Sequence, residues 1–138
     1  AIASVFMVTL LIACIDVARW LLTWNAAAEA TRMGARLAAI CAPGASTQTL
    51  IRSRMRALLP WMGAAEAVQV IRFDYLDAEG RSSPTCGVDD CRMASVWLEG
   101  YAVRPLTGWW SNGGLAIPPS RATVSRESME VTKGVCGA

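Results

Sequence analysis

The sequence predicts an α+β chain built from a long N-terminal helix, a second short helix and a small antiparallel β-sheet. Three observations predict it. Apolar residues crowd the N-terminal end, where positions 1–24 hold 19 apolar and two charged residues, against 43 apolar in the 95 residues of 44–138. Helical periodicity then continues without interruption as far as Pro43-Gly44. After a second helical stretch the pattern changes to β-branched and aromatic alternation with no further helix between strands, so no βαβ unit is expected.

At 1.5 Å per residue, positions 1–24 are long enough to cross a hydrocarbon core of about 30 Å. Asp16 and Arg19 interrupt that stretch. Lying three apart on one helical face, they can neutralise each other, or Arg19 can extend toward lipid headgroups. Two readings of the pair stay open, registration against a neighbouring helix in an assembly and an interfacial pair at the membrane surface. Trp20 and Trp24, four apart, fit an aromatic belt at that end. A secretory signal peptide is the competing reading of the segment; the apolar stretch exceeds the 7–15-residue core of such peptides and no basic region precedes it.

Positions 25–43 continue the same helix with three distinct faces. Asn25, Glu29, Arg32 and Arg36 form a polar stripe in which Glu29 and Arg32 make a favourable pair. Met33, Leu37 and Ile40 form an apolar stripe. Ala30, Gly34 and Ala38 form a line of small residues that lets another backbone approach closely, either from a second subunit or from the protein's own sheet. Pro43-Gly44 ends the helix.

A second helix is expected from a cap at Ser46 or Thr47 to about Leu59, with Leu50, Ile51, Met55, Leu58 and Leu59 buried, Arg52 and Arg56 solvated, and Pro60 as its stop. Gly63-Ala64-Ala65 reads as a break. Strands are then expected at 68–76, where Ile71, Phe73 and Tyr75 alternate with Arg72 and Asp74, at 93–103, and at 122–131. Between the last two, 107–120 contains Trp109, Trp110, glycines and Pro118-Pro119 and reads as a long loop. Trp109 and Trp110 suit either an exposed partner contact or the core.

Five cysteines are present. Cys14 lies inside the apolar stretch and reads as a small hydrophobe. The other four allow three pairings. The short loop closed by Cys86 and Cys91 makes these the first candidate for a local bridge, which leaves Cys41 with Cys136. A four-cysteine zinc site is the rival, disfavoured by the absence of a second close pair. Disulfides imply an oxidising compartment outside the cytoplasm. The basic residues Arg19, Arg32 and Arg36 follow the apolar stretch, which by the positive-inside rule alone places the domain in the cytoplasm. The two signals are reconciled if a basic leader precedes Ala1, where the sequence starts abruptly in apolar residues without a Met.

Charge and composition narrow the function classes further. Net charge is +2 and histidine is absent. Interspersed charges give no concentrated basic field for nucleic acid, and without histidine the Ser-His-Asp and Cys-His nucleophile arrangements and His-containing zinc sites are excluded. Asp77, Glu79, Asp89 and Asp90 supply carboxylates, but without calcium-loop spacing or a partner base they read as solvated turns. No catalytic residue, metal site or cofactor is expected.

The stretch from Ala1-Ile2-Ala3 to Ile15-Asp16-Val17-Ala18-Arg19, followed by Ala26-Ala27-Ala28-Glu29-Ala30-Thr31-Arg32-Met33-Gly34-Ala35-Arg36-Leu37-Ala38, resembles the N-terminal helix of type IV pilins. More specifically it is similar to the TadE-like minor pilins, or pseudopilins, of tight-adherence (Tad/Flp) pilus systems, whose membrane helix runs into an "Arg-x-Gly-Ala-Arg-x-Ala"-like signature. The resemblance covers about 40 of the 138 residues. Members of that family carry a leader cut after glycine or alanine and a glutamate near the mature N-terminus, and this sequence shows neither. The resemblance implies a type IV pilin-like fold with three parts: 1–24 as the membrane or filament-core half of the helix, 25–43 as its amphipathic half, and 44–138 as an extracytoplasmic α+β domain. It implies a non-enzymatic minor pilin that initiates assembly or sits at the pilus tip and bears on adhesion. Its partners would be other pilins through the N-terminal helix, the inner-membrane assembly machinery and the lipid bilayer, with no nucleic acid. The implied location is the bacterial inner membrane with a periplasmic domain, or the extracellular pilus. Asp16, Arg19, Glu29, Arg32, Arg36, Trp109 and Trp110 are then the expected subunit contacts. A single-span anchored binding module unrelated to pili is the alternative, marked by a flexible joint near Trp24.

Overall fold

A computed structural model describes residues 2–83, 87, 90–106, 114–126 and 136. Helix α1 spans Ile2–Ile40 without a break, and its 39 residues make a rod of about 58 Å. Helix α2 (Ala45–Leu58) and the short α3 (Ala64–Val70) follow. Strands β1 (Ile71–Leu76), β2 (Met93–Leu98) and β5 (Arg121–Ser125) form an antiparallel sheet in the order β1-β2-β5. Between β2 and β5, the two-residue strands β3 (Ala102–Val103) and β4 (Leu115–Ala116) pair as a separate ribbon. The architecture is the α+β, pilin-like one that the sequence predicts.

Local chemistry accounts for the boundaries that differ from expectation. Helix α2 starts one residue after Gly44 with no side-chain cap, and Thr47 is buried in its first turns instead of capping it. Gly63-Ala64-Ala65 starts a helix where a break was expected. Gly63 takes an extended conformation as N-cap and its backbone N–H reaches Glu66 Oε2 at 3.4 Å, while the alanines favour helix strongly enough to carry Val68 and Val70 with them. The expected strand at 93–103 is cut in two by Gly100, whose φ of 72° turns the chain. The expected third strand begins at Arg121, and 127–131 lie outside the described residues.

One face of α1 is the floor of the core. Ala27, Ala30, Ala35 and Ala38 are buried there under Ile51 and Met55 of α2 and Ala94, Val96 and Leu98 of β2. Small residues on α1 allow this approach, and Gly34 is where it is tightest. A Cβ added at Gly34 would stand 2.6 Å from Met55 Sδ and 3.3 Å from Val96 Cγ1. The line Ala30, Gly34, Ala38 therefore faces the protein's own second helix and sheet. Arg52 also departs from the solvated reading, since its guanidinium lies over the Phe73 ring, 5.0 Å from the centroid.

Candidate functional site

The two halves of α1 have opposite surroundings. From Ile2 to Ile15 the large apolar side chains Val5, Phe6, Met7, Val8, Leu10, Leu11 and Ile15 are exposed, and α1 is long and apolar enough to cross a membrane. Asp16 is the first buried residue of the helix. Its carboxylate accepts the Leu106 backbone N–H at 2.9 Å and stands 3.7 Å from Arg19 Nη1. The globular part therefore covers one face of α1 from Asp16 onward.

The pair of Asp16 and Arg19 is held by the chain's own loop, because a buried carboxylate requires donors and Leu106 supplies one. Arg19 in turn lies over Trp61, 5.2 Å from its centroid. Trp20 and Trp24 are packed 5.3 Å apart, and the Trp20 indole N–H donates to Ala116 O at 3.2 Å. One turn further on, Thr23 is buried and donates back to Arg19 O at 2.8 Å. On the uncovered side of the same turns, Val17, Leu21, Leu22 and Trp24 remain exposed.

The polar stripe lies along the amphipathic half. Glu29 and Arg32 pair at 3.8 Å with both side chains in solvent, a geometry of small energetic weight. Arg32 and Arg36 line a groove of about 580 Å³ between α1 and the edge strand β5, with Arg121 on its far side. Arg121 is engaged on Ser95 Oγ at 2.7 Å and stacks 4.7 Å over Trp97.

At the far end of α1, Cys41 and Cys136 form a disulfide. Cys91 is disulfide-bonded as well, Cys86 lies outside the described residues, and Cys14 is a free, exposed thiol. Trp109 and Trp110 also lie outside the described residues. Among the described residues, no group of three or more Cys, Asp or Glu is placed to hold a metal.

Two features escaped the sequence reading. Arg126 folds under the end of α1, where its Nε and Nη2 donate to Ala39 O (3.2 Å) and Cys41 O (2.8 Å). It thereby satisfies carbonyls that a helix end leaves open. Burial pulls its pKa below the ordinary arginine value, with Tyr75 acting weakly the other way, and burial pushes Tyr75 up. The second feature is Trp61, which has a positive φ of 71°. Neither has a sequence signal: Arg126 sits in a stretch that reads as strand, and nothing about a tryptophan after Pro60 marks a left-handed residue.

The exposed apolar half of α1 is thus continuous with a half embedded against α2 and the sheet. Residues 1–36 match the TadE-like protein family. The match covers the exposed half and most of the embedded half of α1. No curated protein and no solved structure matches the chain. The TadE-like segment thus includes Asp16, Arg19, Glu29, Arg32, Gly34 and Arg36, and the α2-to-β5 part lies beyond it.

Proposed function

We propose that this chain is a non-enzymatic minor pilin, or pseudopilin, of a Tad-type pilus. It is held in the inner membrane by α1 and acts in assembly initiation or at the tip, and thereby in surface adhesion. The observation that carries the reading is the uninterrupted helix Ile2–Ile40. An anchored binding module needs only a tether, and a joint near Trp24 would serve it. A rigid passage from exposed apolar helix into folded domain instead supports a subunit whose apolar half exchanges lipid for the helices of neighbouring subunits.

In this reading residues 1–24 are the membrane or filament-core half of α1, with the stretch up to Ile15 in the apolar layer and 16–24 at its boundary, and the domain from 44 to 138 faces the periplasm or the outside. Cys41 with Cys136, and Cys86 with Cys91, are bridges formed in that compartment. Asp16 and Arg19 lie at the membrane boundary. Glu29, Arg32 and Arg36 contact neighbouring subunits along the groove beside β5, and Trp109 and Trp110 offer a further contact. Ala30, Gly34 and Ala38 set the spacing of α1 against its own domain.

The test uses the free thiol of Cys14 in cells that make Tad pili. A thiol cross-linker is expected to join Cys14 to the apolar helix of another pilus subunit, and deletion of the gene is expected to reduce surface pili, with rescue by the wild-type chain. Unchanged pilus numbers together with no cross-link to any pilus subunit would refute the assignment.

A further inference from the structure

A cleft opens where the uncovered stretch of α1 meets the globular part. Arg19 on α1, Trp61 in the turn between α2 and α3, Glu66 on α3 and Arg104 after β3 line a space of about 500 Å³, within the size range of small-molecule sites. Its charged groups are two guanidiniums and one carboxylate.

Three observations point to a ligand there. Arg19 Nη1 is buried without a hydrogen-bond acceptor among the described residues, the nearby Asp16 oxygen being 3.7 Å away, beyond hydrogen-bond reach. Trp61 holds a left-handed backbone, which costs a bulky residue free energy, while its side chain is 74 % exposed. Leu106, fixed by its N–H on Asp16, is 63 % exposed at the same level. The fold therefore presents an indole and two arginines in one cleft, with Leu106 held on Asp16 one helical turn from Arg19, beside the exposed apolar stretch of α1. Indoles and aliphatic side chains enter the membrane interface, and guanidiniums bind phosphate through paired donors.

Depth agrees with this. On the uncovered face of α1 the apolar surface runs past Asp16 through Val17, Leu21 and Leu22, so with α1 in a bilayer the cleft lies at headgroup level.

We propose that the cleft binds the phosphoethanolamine headgroup of a membrane phospholipid, with Arg19 and Arg104 on the phosphate and Glu66 on the ammonium. This rests on the reading of α1 as a membrane anchor. A purely cationic cleft would accept any anionic headgroup. The carboxylate that shares the cleft with the arginines selects a zwitterion with N–H donors, and it disfavours phosphatidylglycerol, which has no cation, and phosphatidylcholine, whose quaternary nitrogen has no N–H. Trp61 lines the same cleft, with the Arg19 guanidinium lying over its ring.

The full chain is reconstituted in vesicles of equal parts phosphatidylethanolamine, phosphatidylglycerol and phosphatidylcholine, and the lipids it retains are counted by native mass spectrometry. The wild type is expected to enrich phosphatidylethanolamine about ten-fold, the change one charge-assisted hydrogen bond carries. Glu66→Gln is expected to abolish the preference over phosphatidylglycerol while lipid is still retained. Arg104→Gln, at an exposed position, is expected to lower retention of both. Equal retention of the three lipids by the wild type overturns the headgroup site, as does a preference for phosphatidylethanolamine over phosphatidylglycerol that Glu66→Gln leaves unchanged. Flotation of the same samples separates the two readings: a chain that floats with the vesicles yet shows no selection loses only the headgroup site, and one that floats with none loses the anchor and the site together.

Discussion

Gly34 and Arg126 show how single residues fix the junction between helix and sheet. Gly34→Ala introduces a methyl group 2.6 Å from Met55 Sδ. Overpacking of this kind costs about 1–3 kcal/mol, against a gain of about 1 kcal/mol in helix propensity, so a net loss of about 1 kcal/mol is expected in urea denaturation. Arg126→Met leaves the carbonyls of Ala39 and Cys41 without their donor and should cost about 3 kcal/mol. Arg126→Lys should recover little of it, because one ammonium cannot reproduce the planar fork. Tyr75 behaves oppositely. Its hydroxyl is buried without a hydrogen-bond partner among the described residues, so Tyr75→Phe is expected to leave stability at neutral pH unchanged or slightly raised. Burial raises the Tyr75 pKa against the smaller pull of Arg126, and burial followed by the Glu66 charge raises that of Tyr101. The unfolded chain then loses these protons first, so their contribution is complete below about pH 10 and declines as pH rises through the folded values. The lowered pKa of Arg126 has the opposite sign, adding stability as pH rises toward the ordinary arginine range. Melting curves across this alkaline range should show a shallower decline for Tyr75→Phe than for the wild type.

Among the elements, those with a strong period were legible in the sequence and those decided by a few residues were not. The α1 and α2 patterns and the alternation around Phe73 and Tyr75 give the helices and β1, because long amphipathic repeats average over local exceptions. The α3 helix was hidden because Val68 and Val70 carry β-branched signals that three alanines and Glu66 outweigh, and β3 was hidden because Gly100 turns a chain that alternates on both sides of it. Strand order and the cover over Asp16 depend on residues distant in sequence, which no local pattern reports. The bond between Cys41 and Cys136 spans 95 residues. By the chain-entropy estimate a loop of that length is worth about 4–5 kcal/mol, and Cys136→Ala should lower the unfolding free energy by about that amount without dissolving α1 or the β1-β2-β5 sheet, as judged by circular dichroism.

At the scale of the whole molecule, hydrophobicity is separated from folding. Residues 2–15 contribute little to the core, so Leu11→Lys should leave the thermal unfolding of the globular part unchanged. A lysine at the centre of a membrane helix costs about 2.5–3.5 kcal/mol, so the same variant should release a larger fraction of the protein from membranes on alkaline extraction than the wild type. Equal extraction would mean that this stretch does not enter lipid.

The continuity of α1 also has a mechanical side. Tension applied to its apolar end travels down one hydrogen-bonded rod to Cys41, where the Arg126 clamp and a covalent bond receive it. Between those points, α1 lies against α2 and the sheet through the interlocked surface at Gly34, Met55 and Val96. A pull along the axis must slide that whole surface at once instead of peeling one contact at a time, so the domain follows the apolar end of α1 as one piece.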